Sequence, residues 1–166
     1  MKAPKSICLL NDSFPPLIDG VANTVVNYGR ELTKLGDHAI VVTPEHPEAD
    51  DGRFPFPVAR YPSVDTRRLF GYLAGYPFSP ETLRRLKSEK VDLLHSHCPV
   101  MSTILARSIR EVVDAPLVFT YHTKFDVDVA KLIRGRLLQE SALYVLASNI
   151  SACDEVWVVS RGAGEN

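Results

Sequence analysis

The sequence predicts an α/β fold, a Rossmann-like three-layer α/β/α sandwich on a mainly parallel sheet. Short apolar, β-branched runs recur at Ile7 to Leu10, Ala39 to Thr43, Leu93 to His95, Leu117 to Tyr121 and Val156 to Val159, with a weaker run at Val58 to Tyr61 bracketed by Pro57 and Pro62. Their hydrophobicity is continuous rather than alternating, the pattern of strands buried on both faces. Helix-length segments lie between them, and a parallel crossover needs a connection of that length and is almost always right-handed.

Val21, Val25, Tyr28, Leu32 and Leu35 form one stripe at helical spacing that stops at Gly36, a helix with a glycine terminator. Met101, Ile104, Leu105, Ile109 and Val112 give a second stripe before Pro116. Ser79-Pro80-Glu81 reads as N-cap, first-turn proline and dipole-compatible acid at the start of a third helix. Leu137 to Ile150 is apolar on most sides, the signature of a buried helix. The proline-rich segments Pro44 to Pro57 and Pro62 to Phe78 read as long surface excursions, which in a compact domain are more often functional than idle. After Val159 little remains to cover that side of the sheet, so the chain reads as cut off after a strand.

The 166 residues carry 19 Lys and Arg against 20 Asp and Glu, with 45% hydrophobic residues, the balance of one ordinary globular domain. The near-neutral charge excludes the whole-surface basic field that nonspecific nucleic-acid binding requires, so no nucleic-acid partner is expected. Cys8, Cys98 and Cys153 are odd in number and lack Cys-x-x-Cys spacing, which favours a reducing, cytoplasmic setting over a disulfide framework or zinc knuckle. Lys2 and Lys5 precede an apolar run too short for a signal peptide, and no stretch has the apolar length to span a bilayer.

In an open parallel sheet ligands bind beyond the carboxyl ends of the strands. After the first strand comes Asn11-Asp12-Ser13-Phe14-Pro15-Pro16-Leu17-Ile18-Asp19-Gly20, which delivers the chain into a helix beginning near Val21. Gly20 lets backbone N–H groups face a ligand and the helix N-terminus favours an anion, although Asp19 as a plain N-cap and Gly20 as a plain turn read equally well. The fingerprint of a nicotinamide dinucleotide is absent. His95-Ser96-His97 and Tyr121-His122-Thr123-Lys124 bring three of the five histidines to strand ends that should converge. His95 reads as a structural histidine directed into the sheet, and His97 and His122 as the site residues. An H-x-H pair with a third histidine also suits a metal-dependent hydrolase, but Asp12 and Asp126, the carboxylates that would complete it, are not placed by any recognised zinc or iron spacing. A Cys98–His97 nucleophile is disfavoured, since adjacent residues seldom aim at each other.

Phe14-Pro15-Pro16-Leu17-Ile18-Asp19-Gly20-Val21, Leu32 to Thr43 with its Gly36-Asp37-His38, Asp92-Leu93-Leu94-His95-Ser96-His97, Leu117 to Thr123 and Val156-Trp157-Val158-Val159-Ser160 occur in this order. Together they resemble the N-terminal domain of a family 4 glycosyltransferase, a retaining enzyme of the GT-B fold that takes its sugar from a nucleotide-sugar. The first glycine of that family's P-x-x-G-G loop is replaced here by Asp19, and Asp37 is inserted in its G-H pair. The Asp-Gly form resembles the branch that glycosylates lipids such as diacylglycerol.

The resemblance implies that residues 1–166 are one acceptor-side half of a GT-B enzyme, inactive alone, whose donor-binding domain with E-x7-E glutamates lies outside this chain. It implies no metal and no cofactor, a nucleotide-sugar such as UDP-glucose as donor, and a lipid or saccharide acceptor. His122 would contact the transferred sugar, the Asp19-Gly20-Val21 loop would face donor phosphates and sugar, and His97, Tyr121, Thr123 and Lys124 would line the same cleft. Arginines, lysines and aromatics mixed through residues 65–90 suit peripheral docking on the anionic inner face of a membrane. A noncatalytic sugar-phosphate-binding module is the remaining alternative.

Overall fold

A computed structural model describes residues 3–66, 73–123 and 125–164. Its centre is a six-stranded, wholly parallel sheet in the order β3-β2-β1-β6-β7-β8. These strands are β1 (Ser6–Leu10), β2 (His38–Pro44), β3 (Val58–Tyr61), β6 (Leu93–Ser96), β7 (Leu117–Tyr121) and β8 (Glu155–Val158). The expected strands are all present, most shifted by about one residue at an end, and the weak run at Val58 is a full edge strand.

For the inner strands the continuous hydrophobicity has its physical reason in two cores, one on each face; β8, expected to be buried, is instead exposed along its length as the edge strand. Ile7 and Leu9 point to one face and join Phe14, Val25, Val26, Ala39, Val41 and Phe56. Cys8 and Leu10 point to the other and join Ile40, Val42, Leu86, Leu94, Leu105, Ile109 and Leu117. Helix α1 (Gly20–Lys34) covers the first face; α2 (Pro80–Ser88) and α3 (Met101–Val113) cover the second.

The helix ends follow the local signals. Ser79 caps α2 by accepting from the Thr82 N–H at 3.3 Å, with Pro80 in the first turn. At the end of α1, Gly36 takes φ +86°, a left-handed conformation natural to glycine, so that its N–H reaches Thr33 O (3.1 Å) and the Asp37 N–H reaches Leu32 O (3.0 Å). The inserted Asp37 accepts the Lys5 N–H at 2.9 Å, tying the entry of β2 to that of β1. Asp92, just ahead of β6, does the same for Ser6 N–H at 2.8 Å, and Asp154, just ahead of β8, for Leu117 N–H at 2.8 Å. Carboxylates therefore bind the amino ends of neighbouring strands and fix their register.

Two sequence expectations are corrected. Helix α5 (Arg136–Ser151) is not buried: Leu137, Leu138, Tyr144 and Val145 are exposed, and Asn149 is the residue it buries. Asn149 donates to Pro99 O (2.8 Å) and accepts from Arg107 (2.9 Å), so a polar clasp to α3, rather than the apolar side chains, seats this helix. Nor are the proline-rich segments mere surface loops. Phe56 is buried against α1, and Arg60 in β3 clamps Asp51 with two 2.8 Å bonds while donating to Pro44 O and Pro15 O. The segment after β3 forms a hairpin of β4 (Ser63–Asp65) and β5 (Leu73–Gly75), within which residues 67–72 lie outside the described set. Helix α4 (Phe125–Leu132) and the short α6 (Arg161–Gly164) had no sequence signal strong enough to announce them.

The hairpin returns across the carboxyl edge of the sheet because β5 lies flat on a buried ring. A Cβ added to Gly75 would stand 2.3 Å from the Tyr61 ring, which is fully enclosed and cannot swing away. Gly75→Ala is therefore expected to lower stability by about 1–3 kcal/mol through overpacking. Urea melts check this, with Gly162→Ala, where a Cβ meets nothing within 4 Å, as the unchanged control.

Candidate functional site

Strands β2 and β3 lie to one side of β1, and β6, β7 and β8 to the other, so the crossovers diverge between β1 and β6. At such a switch point the two connecting loops part and leave a crevice at the carboxyl edge. Here it is a cavity of about 500 Å³, of a size that takes a sugar-sized ligand. Asn11 and Asp12 follow β1, Asp19 and Val21 open α1, His97 and Cys98 follow β6, and His122 and Thr123 follow β7; Leu73 to Gly75 of the hairpin close one side.

Asp12, which the sequence offered only as a carboxylate for a metal site, organises this edge. Its carboxylate accepts the N–H groups of Met101 (3.0 Å) and Ser102 (2.6 Å), the Ser102 hydroxyl at close range, and the Tyr61 phenol at 3.2 Å. It thus satisfies the amino end of α3, whose N-cap residue, Val100, contributes no side-chain bond. The Tyr61 phenol stays protonated as donor, its pKa pushed well up first by burial and then by the Asp12 charge. The turn from β6 into α3 is tied by Thr103, whose hydroxyl donates to Cys98 O at 2.7 Å.

Asp19 caps α1 in the same way, accepting the Ala22 N–H at 2.7 Å while its carbonyl accepts from Asn23. The plain N-cap reading of Asp19 therefore holds, and the N–H groups of Gly20 and Val21 are left for other partners. Both helix amino ends at the cavity already hold a carboxylate. Asp128 of α4 is a third on its lining, where no Lys or Arg stands among the described residues.

The histidines converge as expected. His95 and His97 lie on one face with ring centroids 4.1 Å apart, and the Tyr28 ring from α1 packs on both at 5.7 and 5.5 Å. His95 is the inward-facing member: its Nε2 meets the Thr120 hydroxyl at 2.7 Å and the Trp157 ring approaches edge-on at 5.1 Å. His97 is 1% exposed; its Nδ1 lies 3.0 Å from His122 Nε2, while its own Nε2 has no partner among the described residues. Burial holds His95 down at about 4, and holds His97 well below the ordinary imidazole value with help from the neighbouring rings. Partly exposed His122 is lowered too, chiefly by burial, against an upward pull from Asp19. These imidazoles are neutral at physiological pH.

The remaining expected site residues divide. Thr123 lines the cavity with His122. Gly20 stands exposed at the first turn of α1, where an added Cβ would meet nothing. Tyr121 does not reach this site: it lines a separate groove with Phe125, Leu143, Val156 and Val158, its ring edge-on to Phe125 at 5.2 Å. Lys124 lies outside the described residues.

Among the described residues no three His, Cys, Asp or Glu side chains are placed to hold a metal ion. Cys98 fits a nucleophile no better, because burial and then the Asp12 charge push its thiol pKa well up. No described helix is long and apolar enough to cross a membrane.

The family model described as Glycosyltransferase Family 4 matches residues 18–166. Among curated proteins, the chain is 25% identical over 141 residues to the alpha-monoglucosyldiacylglycerol synthase of Streptococcus pneumoniae, covering 84% of this chain and 32% of that protein. It is 28% identical over 121 residues to the protein of the same name from Acholeplasma laidlawii, covering 72% and 30%. It is 24% identical over 139 residues to sulfoquinovosyl transferase SQD2 of Arabidopsis thaliana, covering 79% and 26%. The chain thus spans about a third or less of the length of these relatives.

The buried imidazoles make stability acid-sensitive. With its folded pKa near 4 and an unfolded value of 6.5, His95 binds its proton in the unfolded chain first. Between those values the unfolded state holds more protons, so stability falls as pH drops through that window, by about 3 kcal/mol for His95 alone. Urea melts from pH 8 to pH 4 should show this slope, and His95→Gln should flatten part of it.

Proposed function

The chain belongs to glycosyltransferase family 4, and from that membership we propose that it is the acceptor-side, N-terminal domain of a retaining hexosyltransferase. The donor is a nucleotide-sugar, with UDP-glucose the first to screen, and the acceptor is a lipid or saccharide hydroxyl. Two of the relatives carry the name of a glucosyldiacylglycerol-forming enzyme, which favours a lipid acceptor. The observation that carries the reading is the cavity at the β1/β6 switch point, a sugar-sized space lined by His122, Thr123, Asp19 and Val21.

In this reading His122 touches the transferred sugar as a neutral hydrogen-bonding ring. Gly20 and Val21 offer N–H groups to the oxygens where sugar meets phosphate, and His97 supports the floor. The three carboxylates around the cavity make it a poor seat for a whole diphosphate. The cationic or dipolar groups that stabilise the leaving diphosphate are therefore assigned to a second, donor-binding domain of the complete protein. The acceptor hydroxyl approaches from the hairpin side, where Leu73 and Ala74 give the wall an apolar stretch suited to a lipid's glycerol end.

Delivery from a membrane follows from the surface beside that wall. Tyr76 and Phe78 are 50% and 61% exposed with rings 5.8 Å apart, and α2 turns Arg84, Arg85 and Lys87 outward. Exposed aromatics beside a basic helix suit anionic lipid, each cation near the surface adding about 1 kcal/mol. On this reading the enzyme works in the cytoplasm, peripheral to the inner membrane face.

Two measurements test these assignments. In the full-length enzyme, His122→Ala should cut turnover at least about a hundredfold with the melting temperature unchanged; unaltered turnover removes His122 from the reaction centre. Flotation with anionic vesicles at low salt should carry the protein upward, and Arg84→Glu with Arg85→Glu should abolish it. Failure to float with the unmodified protein leaves a soluble acceptor in place of the membrane.

A further inference from the structure

We propose that His97 is a positioning residue that fixes the tautomer of His122, so that the His122 ring presents its Nδ1–H to the ligand as a hydrogen-bond donor. The inference rests on the reading that His122 faces the bound sugar, and it adds which atom does so and why.

Two neutral imidazoles whose nitrogens stand 3.0 Å apart must share a single proton between those atoms. Both nitrogens protonated would set two donors against each other, and both bare would set lone pair against lone pair. The direction is decided at the far side of His97. Its Nε2 is sealed from solvent and has no partner among the described residues. Were His97 the acceptor, its proton would sit on Nε2 as a buried N–H with nothing to receive it, the kind of orphan that folded proteins avoid most strictly. With His97 as donor from Nδ1, the orphan is a bare lone pair, the lesser cost. His122 then accepts at Nε2, and its own proton must sit on Nδ1.

The His97 ring is well fixed for this task. Its backbone N–H is bonded to Leu10 O at 2.9 Å, the His95 ring lies tilted against it, and Tyr28 packs against both. His95 is locked in turn by Thr120. The titratable groups around the pair are His95 beside His97, Tyr28 from α1, Asp19 ahead of α1, and Asp12 and Asp128 on the cavity wall. Asp19 favours a protonated His122, whereas burial keeps the ring neutral.

The test uses full-length protein labelled with 15N-histidine. Imidazole nitrogen shifts separate a protonated from a bare nitrogen, and His122→Gln identifies its signals. The unmodified protein should show His122 protonated at Nδ1; a spectrum with the proton on Nε2 overturns the inference. His97→Asn places an amide N–H near the former Nδ1 and should preserve that tautomer, whereas His97→Leu should release His122 into a mixture of both. An unchanged tautomer in His97→Leu likewise overturns it. Turnover measured on the same variants is read separately: kcat should fall in His97→Leu, be largely restored in His97→Asn, and change more than KM. A released tautomer with kcat unchanged upholds the inference and instead overturns the placement of His122 against the sugar.

Discussion

A parallel sheet whose inner strands are buried on both faces can place polar groups there only along its two edges, and the candidate site follows from how those edges are used. At the amino edge, Asp37, Asp92 and Asp154 each accept a backbone N–H at the start of a neighbouring strand. Their bonds, backed by Lys5 and Arg110, leave that edge with a structural task. The carboxyl edge holds the histidines, the loop ahead of α1 and the cavity. The switch of strand order between β1 and β6 opens the crevice that these groups line.

Asp12 carries the sheet's order into the cavity wall. One carboxylate joins β1 to the amino end of α3 and, through Tyr61, to β3, which lies two strands away on the other side of β1. Charge-assisted bonds of this kind are worth about 1.5–3 kcal/mol each when a buried partner would otherwise go unsatisfied. Because Gly75 packs on the Tyr61 ring, the hairpin that walls the cavity is positioned through the same carboxylate. The wall and the floor are therefore one mechanical unit.

What was legible in the sequence and what was not divides by the distance over which a residue acts. Val41 and Leu94 announce buried strands, Ser79 a cap and Gly36 a helix end, because hydrophobic runs and caps are local signals. The pairing of His95 with His97 was legible because alternate residues of a strand share a face, and the convergence of His122 because adjacent parallel strands end together. The role of Asp12 was not, since its partners lie 49, 89 and 90 residues away and no local pattern encodes them. Tyr121 was misplaced by one position: it and His122 alternate across the strand end and so face different cavities. Helix α5 misled through composition, since an apolar sequence says that a face should be covered but not which element covers it.

The charge arrangement also divides the labour of the proposed transfer. Among the described residues, three carboxylates and neutral imidazoles line the space, and the amino ends of α1 and α3 beside it already have an internal carboxylate at their positive end. Such a surface discriminates among hydroxyl groups by donor and acceptor geometry and repels a concentrated negative charge. A diphosphate leaving group needs the opposite environment. Separating the two requirements onto two surfaces lets a cleft close around a donor whose sugar end and phosphate end each meet the chemistry that suits it.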